Sequence, residues 1–150
     1  MAAQSWKFYN LAKKKIGNGT ISLASTVMRI SLVTSASNFA TKTLGTFASL
    51  TNEIADGNGY STSGKAMTSE VWTVGAASAG QYKWDADDVV WTGTGGAISN
   101  IKGAVIWVSG ASAAARHLVA FASLTSTQFN LASGNTLTIQ MNSAGIATLS

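Results

Sequence analysis

Apolar and polar positions alternate with a period of two over much of the chain, and the alternating stretches are short. Val27-Met28-Arg29-Ile30-Ser31-Leu32-Val33 places Met28, Ile30 and Leu32 on one face of a strand. The β-branched and aromatic segments at 103–108, 117–123, 136–141 and 146–149 read as further strands. So do Lys65 to Val74, Gln81-Tyr82-Lys83-Trp84 and Val89-Val90-Trp91, which flank Asp85-Ala86-Asp87-Asp88. Gly, Ser, Asn and Asp separate them, and Asp56-Gly57-Asn58-Gly59 has the composition of a tight turn. Ser109 to Ala115 and Asn130 to Asn135 read as connections. The pattern predicts roughly eight to ten strands in a mainly β fold, a β-sandwich or jelly-roll-like body.

One stretch has the other period. Phe8, Leu11, Ala12, Lys15 and Ile16 follow three-and-four spacing, so the pattern predicts a short N-terminal helix over 5–16. Ser5 is placed to cap it, and Gly17-Asn18-Gly19 stops it. Its apolar stripe is narrow and needs a surface to lie on. Residues 35–50 fit either a helix or a long loop anchored by Phe39, Leu44, Phe47 and Leu50. The expected organisation is a single domain over 1–150, with a helix or arm over 1–19 and a β-sandwich body over 20–150.

Composition sharpens this picture. Charged residues make up 11% of the chain, against about 25% in an average globular protein. The exposed surface must therefore be covered largely by Ser, Thr, Gly and Asn. Such a surface loses few ions' hydration on contact and favours a protein that lives in an assembly. There is no cysteine, so disulfide and thiolate chemistry are excluded. There is no proline either, so turns must be set by Gly, Asn and Asp. The net charge of +4 traces to Lys7, Lys13, Lys14 and Lys15, because the remaining six bases balance the six acids. No apolar run approaches the ~18 residues of a membrane span, and no signal-peptide pattern opens the chain. The expectation is a protein without membrane contact, made and assembled in the cytoplasm.

The candidate chemistry is thin. Asp85, Asp87 and Asp88 form the one acidic cluster, too short for a calcium loop and expected to be a turn. His117 stands alone, without a nucleophile turn of the Gly-x-Ser-x-Gly kind; it reads as a strand residue rather than a catalytic base. Gly57-Asn58-Gly59 and Gly93-Thr94-Gly95-Gly96 lack the Lys-Ser/Thr ending of a phosphate loop. Asn18-Gly19-Thr20 fits a glycosylation acceptor, read here as a turn. The sequence therefore points away from an enzyme, with no catalytic, metal or cofactor residues assigned. Trp6, Phe8 and Tyr9 are candidate contact aromatics, with closure of the protein's own sheet as the competing role. Lys13, Lys14 and Lys15 are candidate contacts to an acidic protein patch, in preference to nucleic acid. Trp72, Trp84, Trp91 and Trp107 are expected in the core.

Several stretches in order resemble a family of small tailed-bacteriophage virion proteins encoded among head genes. They are Leu11 to Gly19 leading into Val27 to Thr34, Leu50 to Ile54, Gly59-Tyr60 with Gly64 to Met67, and Asp85 to Val89 leading to Trp91. Ala104 to Trp107, Leu118 to Phe121 and Leu137 to Ile146 complete the set, which covers nearly the whole chain. The small Ala/Ser-rich loop at 109–115 departs from the family pattern. The resemblance implies a structural virion protein that decorates or cements a capsid, binding the outer surface of the major capsid protein lattice. It implies a homotrimer as the oligomer. A tail or neck component, or a carbohydrate-binding module of a fibre, are the alternatives. Deleting residues 1–16 is expected to abolish capsid binding and leave the β body folded.

Overall fold

A computed structural model describes residues 5–74, 80–141 and 145–149. Its elements are β1 (Lys7–Phe8), α1 (Asn10–Gly17), β2 (Met28–Thr34), β3 (Lys65–Ala66), β4 (Val71–Val74), β5 (Tyr82–Asp85) and β6 (Val89–Thr92). They continue with β7 (Ile98–Val108), β8 (Leu118–Ser123), β9 (Phe129–Leu131), β10 (Thr136–Ile139) and β11 (Ala147–Leu149). The fold is mainly β with one short helix near the N-terminus.

Every strand pair is antiparallel. The main sheet has the order β1-β8-β7-β2-β3, with β9 also paired to β7. Two small sheets, β10-β6 and β11-β5-β4, accompany it. The central pairing brings Ile30 opposite Ile106 and Ser31 opposite Val105. Successive residues thus point to opposite faces, and both faces are buried.

On the first face Met28, Ile30, Leu32, Ala104 and Ile106 pack with Trp84, Trp91 and Ile139 from the small sheets, which makes the sandwich. On the second face Val33, Val105, Trp107, Leu118 and Phe121 lie beneath Tyr9, Ala12 and Phe39. Covering both faces explains why 103–108 and 118–122 are almost continuously apolar. Each large side chain removed from water contributes roughly 1.5–3 kcal/mol. One buried polar pair is matched, with Trp107 Nε1 donating to the Ser31 hydroxyl at 3.0 Å, whereas the buried Trp84 Nε1 has no partner among the described residues. Gly103 sits mid-strand because a Cβ there would lie 2.6 Å from the Phe39 ring, which seats the 35–50 loop on the second face.

The long alternating strands fall where the pattern places them, and Gly57 and Tyr60 exchange backbone hydrogen bonds around the expected turn. Trp84, Trp91 and Trp107 are buried as expected, whereas Trp72 is half-buried at the margin. Three readings are corrected, and one that the sequence left open is resolved. The helix begins at Asn10 rather than Ser5, because Lys7 and Phe8 are drawn into the sheet beside β8. The stretch 65–74 is two strands, broken at Ser69 with φ 58°. The connection drawn from Asn130 to Asn135 starts inside β9. Residues 35–50 are a loop with one 3-10 turn at Phe47–Ser49.

Candidate interface at the N-terminal segment

The N-terminal segment is built into the body. Lys7 pairs with Phe121 and Phe8 with Ala120, and the Tyr9 amide donates to the Val119 carbonyl at 3.1 Å. Tyr9 then serves as the extended N-cap of α1 without a side-chain cap. The Asn10 amide donates to the Lys42 carbonyl at 2.9 Å, which ties the start of the helix to the 40–42 turn. Ala12 is fully buried in the second core, so one helix face is fixed and the opposite one is presented outward.

The three aromatic candidates separate. Tyr9 is fully buried, its ring 4.9 Å from Phe121 and its hydroxyl donating to the Phe39 carbonyl at 2.6 Å. It is an anchor inside the protein and is removed from the contact set. Burial pushes its phenol well above the usual tyrosine value. Phe8 is half-buried and stacks 6.1 Å from Trp84, and Trp6 packs against the first core. Both retain partial exposure at the edge of the main sheet.

The lysines carry the clearest signal. Lys13 and Lys14 are exposed and Lys15 is half-buried; Lys14 and Lys15 sit in the last turn of α1, where the helix dipole favours cations. Among the described residues, Lys7, Lys13, Lys14, Lys15 and Lys42 have no hydrogen-bond or ion-pair partner for their ammonium groups. The other five bases are engaged. Arg29 donates to the Ser63 and Gly64 carbonyls, Arg116 to Gly110, Lys65 to Val90, and Lys102 to Thr125 and Ser126, while Lys83 pairs with Asp85.

Every one of the six carboxylates is also occupied within the protein. Glu53 accepts from Tyr60 and Ser63, Asp56 from Thr62, and Glu70 from the Met28 amide. Asp85 takes Lys83, Asp87 takes Thr68 and Ser69, and Asp88 takes the Met141 amide. The rest of the chain carries five bases against six acids, so the whole +4 excess resides on β1, α1 and the 40–42 turn.

The remaining candidates have structural explanations. The three aspartates at 85–88 hold different partners, and no group of three or more metal-type ligands is assembled among the described residues. His117 bridges Thr46 at the start of β8 and is half-buried, with Nδ1 lacking a partner among the described residues. Burial lowers its pKa, helped by the charge of Lys15. Asn18 accepts from both the amide and hydroxyl of Thr20, closing a turn. Gly93 to Gly96 links β6 and β7, two strands, rather than a strand and a helix. Lys42 is the member of the basic face that no local pattern reveals: it stands alone in the chain, and only folding brings it beside β1 and α1. No helix among the described residues is long and apolar enough to cross a membrane. No protein-family profile, curated protein or solved structure matches this chain.

Proposed function

We propose that the protein is a non-enzymatic structural component of a tailed-phage virion. It decorates and stabilises the capsid by binding the outer surface of the major capsid protein lattice, as a homotrimer seated where capsid subunits meet. The observation that carries the reading is the segregation of charge: unpaired lysines on a rigidly anchored face of an otherwise balanced body. Such a face suits an acidic protein surface. The sequence resemblance to phage head-gene products supplies the identity of that surface. Lys13 and Lys14 are the outward contacts, with Trp6 and Phe8 at the margin.

The mechanism is linkage. A protein that binds the assembled lattice and not its dissociated subunits stabilises the lattice by mass action, by about 2.7 kcal/mol per site at a hundredfold excess over Kd. Contacts to neighbouring subunits in one trimer add avidity. The carbohydrate-module alternative draws no support from Trp84, Trp91 and Trp107, which are at most 1% exposed and offer no stacking platform, and Trp72 in β4 is half-buried.

The test is to mix purified protein with capsids that lack it and image them by electron microscopy. Ordered density at fixed lattice positions is expected, and Lys13→Glu/Lys14→Glu should weaken it. Density confined to the neck or tail of complete virions would replace the capsid reading with a tail role. Bare capsids and bare virions would end it.

A further inference from the structure

A shallow cavity of about 160 Å³ opens between β1 and the 40–42 turn. Lys7 and Lys42 line it, together with Ser5, Ala40, Phe121, Ala122 and Ser123. The lining is held from within. Phe121 packs against Tyr9 at 4.9 Å and against Phe39 edge-on at 6.0 Å. The walls are held by backbone: Lys7 is in register with Phe121, and the Lys42 carbonyl accepts from Asn10.

We propose that this cavity is a carboxylate subsite, which takes a Glu or Asp side chain from an acidic segment of the partner protein. The inference rests on the reading of the N-terminal face as an interface and says what that face recognises. Two lysines whose ammonium groups have no partner among the described residues line a space sized for one side chain. Apolar Phe121 and Ala122 suit the methylene stem, and Ser5 and Ser123 are the hydroxyl-bearing residues of the lining. Charge complementarity is the driving term, since a carboxylate between two ammonium groups makes charge-assisted bonds to both. The occupant comes from a different protein, because all six carboxylate side chains of this chain already hold partners within their own fold. A nucleic-acid backbone fits less well. The unpaired bases are all lysines with no planar arginine fork, and Trp6 and Phe8 are packed against the core rather than free to stack on bases.

The test is fluorescence anisotropy of a labelled, end-blocked hexaglutamate peptide with the full chain at low salt. A labelled oligothymidylate of equal charge is run in parallel. The peptide should bind, and binding should weaken as salt rises. Lys7→Gln/Lys42→Gln should raise its Kd about tenfold or more, the loss expected for removing two charge-assisted contacts. Lys65→Gln, whose ammonium serves the Val90 carbonyl, should leave it within about twofold. Thermal unfolding confirms that each variant is folded. Unchanged peptide affinity in the double variant, or no peptide binding by the wild type, overturns the proposal. So does tighter binding of the oligonucleotide, lost in the same variant. Failure of the capsid reading looks different. Protein that binds hexaglutamate through Lys7 and Lys42 yet leaves capsids bare keeps the subsite and removes the capsid as its partner.

Discussion

Tyr9→Phe deletes one oxygen from the second core and nothing from the surface. The ring stays against Phe121, but the Phe39 carbonyl loses the hydroxyl that reaches it at 2.6 Å. A buried acceptor left without its donor costs about 1–3 kcal/mol. For a chain of this length each kcal/mol lowers Tm by about 2–4 °C, so a drop of roughly 2–12 °C is expected. Unfolding followed by tryptophan fluorescence reads it, because Trp84 and Trp91 report on the first core and Trp107 on the second. A second readout comes at alkaline pH. Burial raises the Tyr9 phenol above its usual 10.0, and burial followed by the adjacent Glu53 carboxylate does the same for Tyr60. Below pH 10 both folded and unfolded chains keep these protons. Above it the unfolded chain releases protons that the folded chain retains, so stability falls as pH rises. Tyr9→Phe removes one of those protons and should lessen the fall by about 1.4 kcal/mol per pH unit. Wild-type Tm with an unchanged alkaline slope would refute the burial of this hydroxyl. Lost partner binding at wild-type stability would return Tyr9 to the surface.

Two further substitutions test the fold and its response to acid. Gly64→Ala forces a Cβ to 1.9 Å from the Ile30 carbonyl at φ +58°, whereas Gly134→Ala at φ +85° meets nothing within 4 Å. The first should cost at least about 3 kcal/mol and the second about 1–2 kcal/mol by chemical denaturation, and equal costs would contradict the close approach. His117, the one histidine, has a pKa lowered first by burial and then by Lys15. Below pH 6.5 the unfolded chain binds a proton that the folded chain resists, so stability should decline as pH falls through that region. His117→Gln should flatten the decline. An imidazole NMR titration centred at or above 6.5 would contradict it.

Alternation made β2 legible, and continuous β-branched and aromatic runs bounded by turn residues made β7 and β8 legible, because both faces of the central sheet are buried. The turn at 56–59 was legible because Asn58 and Gly59 both adopt positive φ there, at 54° and 91°. The short edges were not. Phe8, Leu11 and Ala12 have helical spacing, yet Phe8 is a strand residue, since pairing with Ala120 outweighs local pattern. β9 is three residues around Asn130, below the length at which periodicity means anything. The basic run at 13–15 could be read directly. Its extension to Lys42 could not, because that contact depends on the hydrogen bond from Asn10 and on the docking of the 35–50 loop. The assignment of Tyr9 to the surface failed for a related reason. An aromatic near a terminus looks alike whether it meets a partner or closes its own core. Deleting residues 1–16 is therefore not a clean test of binding, since it also strips Tyr9 and Ala12 from the second core.

The pairing of β1 with β8 also sets an order of events in folding. Lys7 and Phe121 are separated by most of the chain, and the partners in β2 and β7 by about half of it. Folds dominated by such distant pairings form slowly, since loop-closure entropy is lost before the contacts that offset it exist. During synthesis β1 emerges before β8 and has no strand to join until β8 has been made. The basic face is thus completed only once β8 exists, and its display reports a chain whose distant strands have already met.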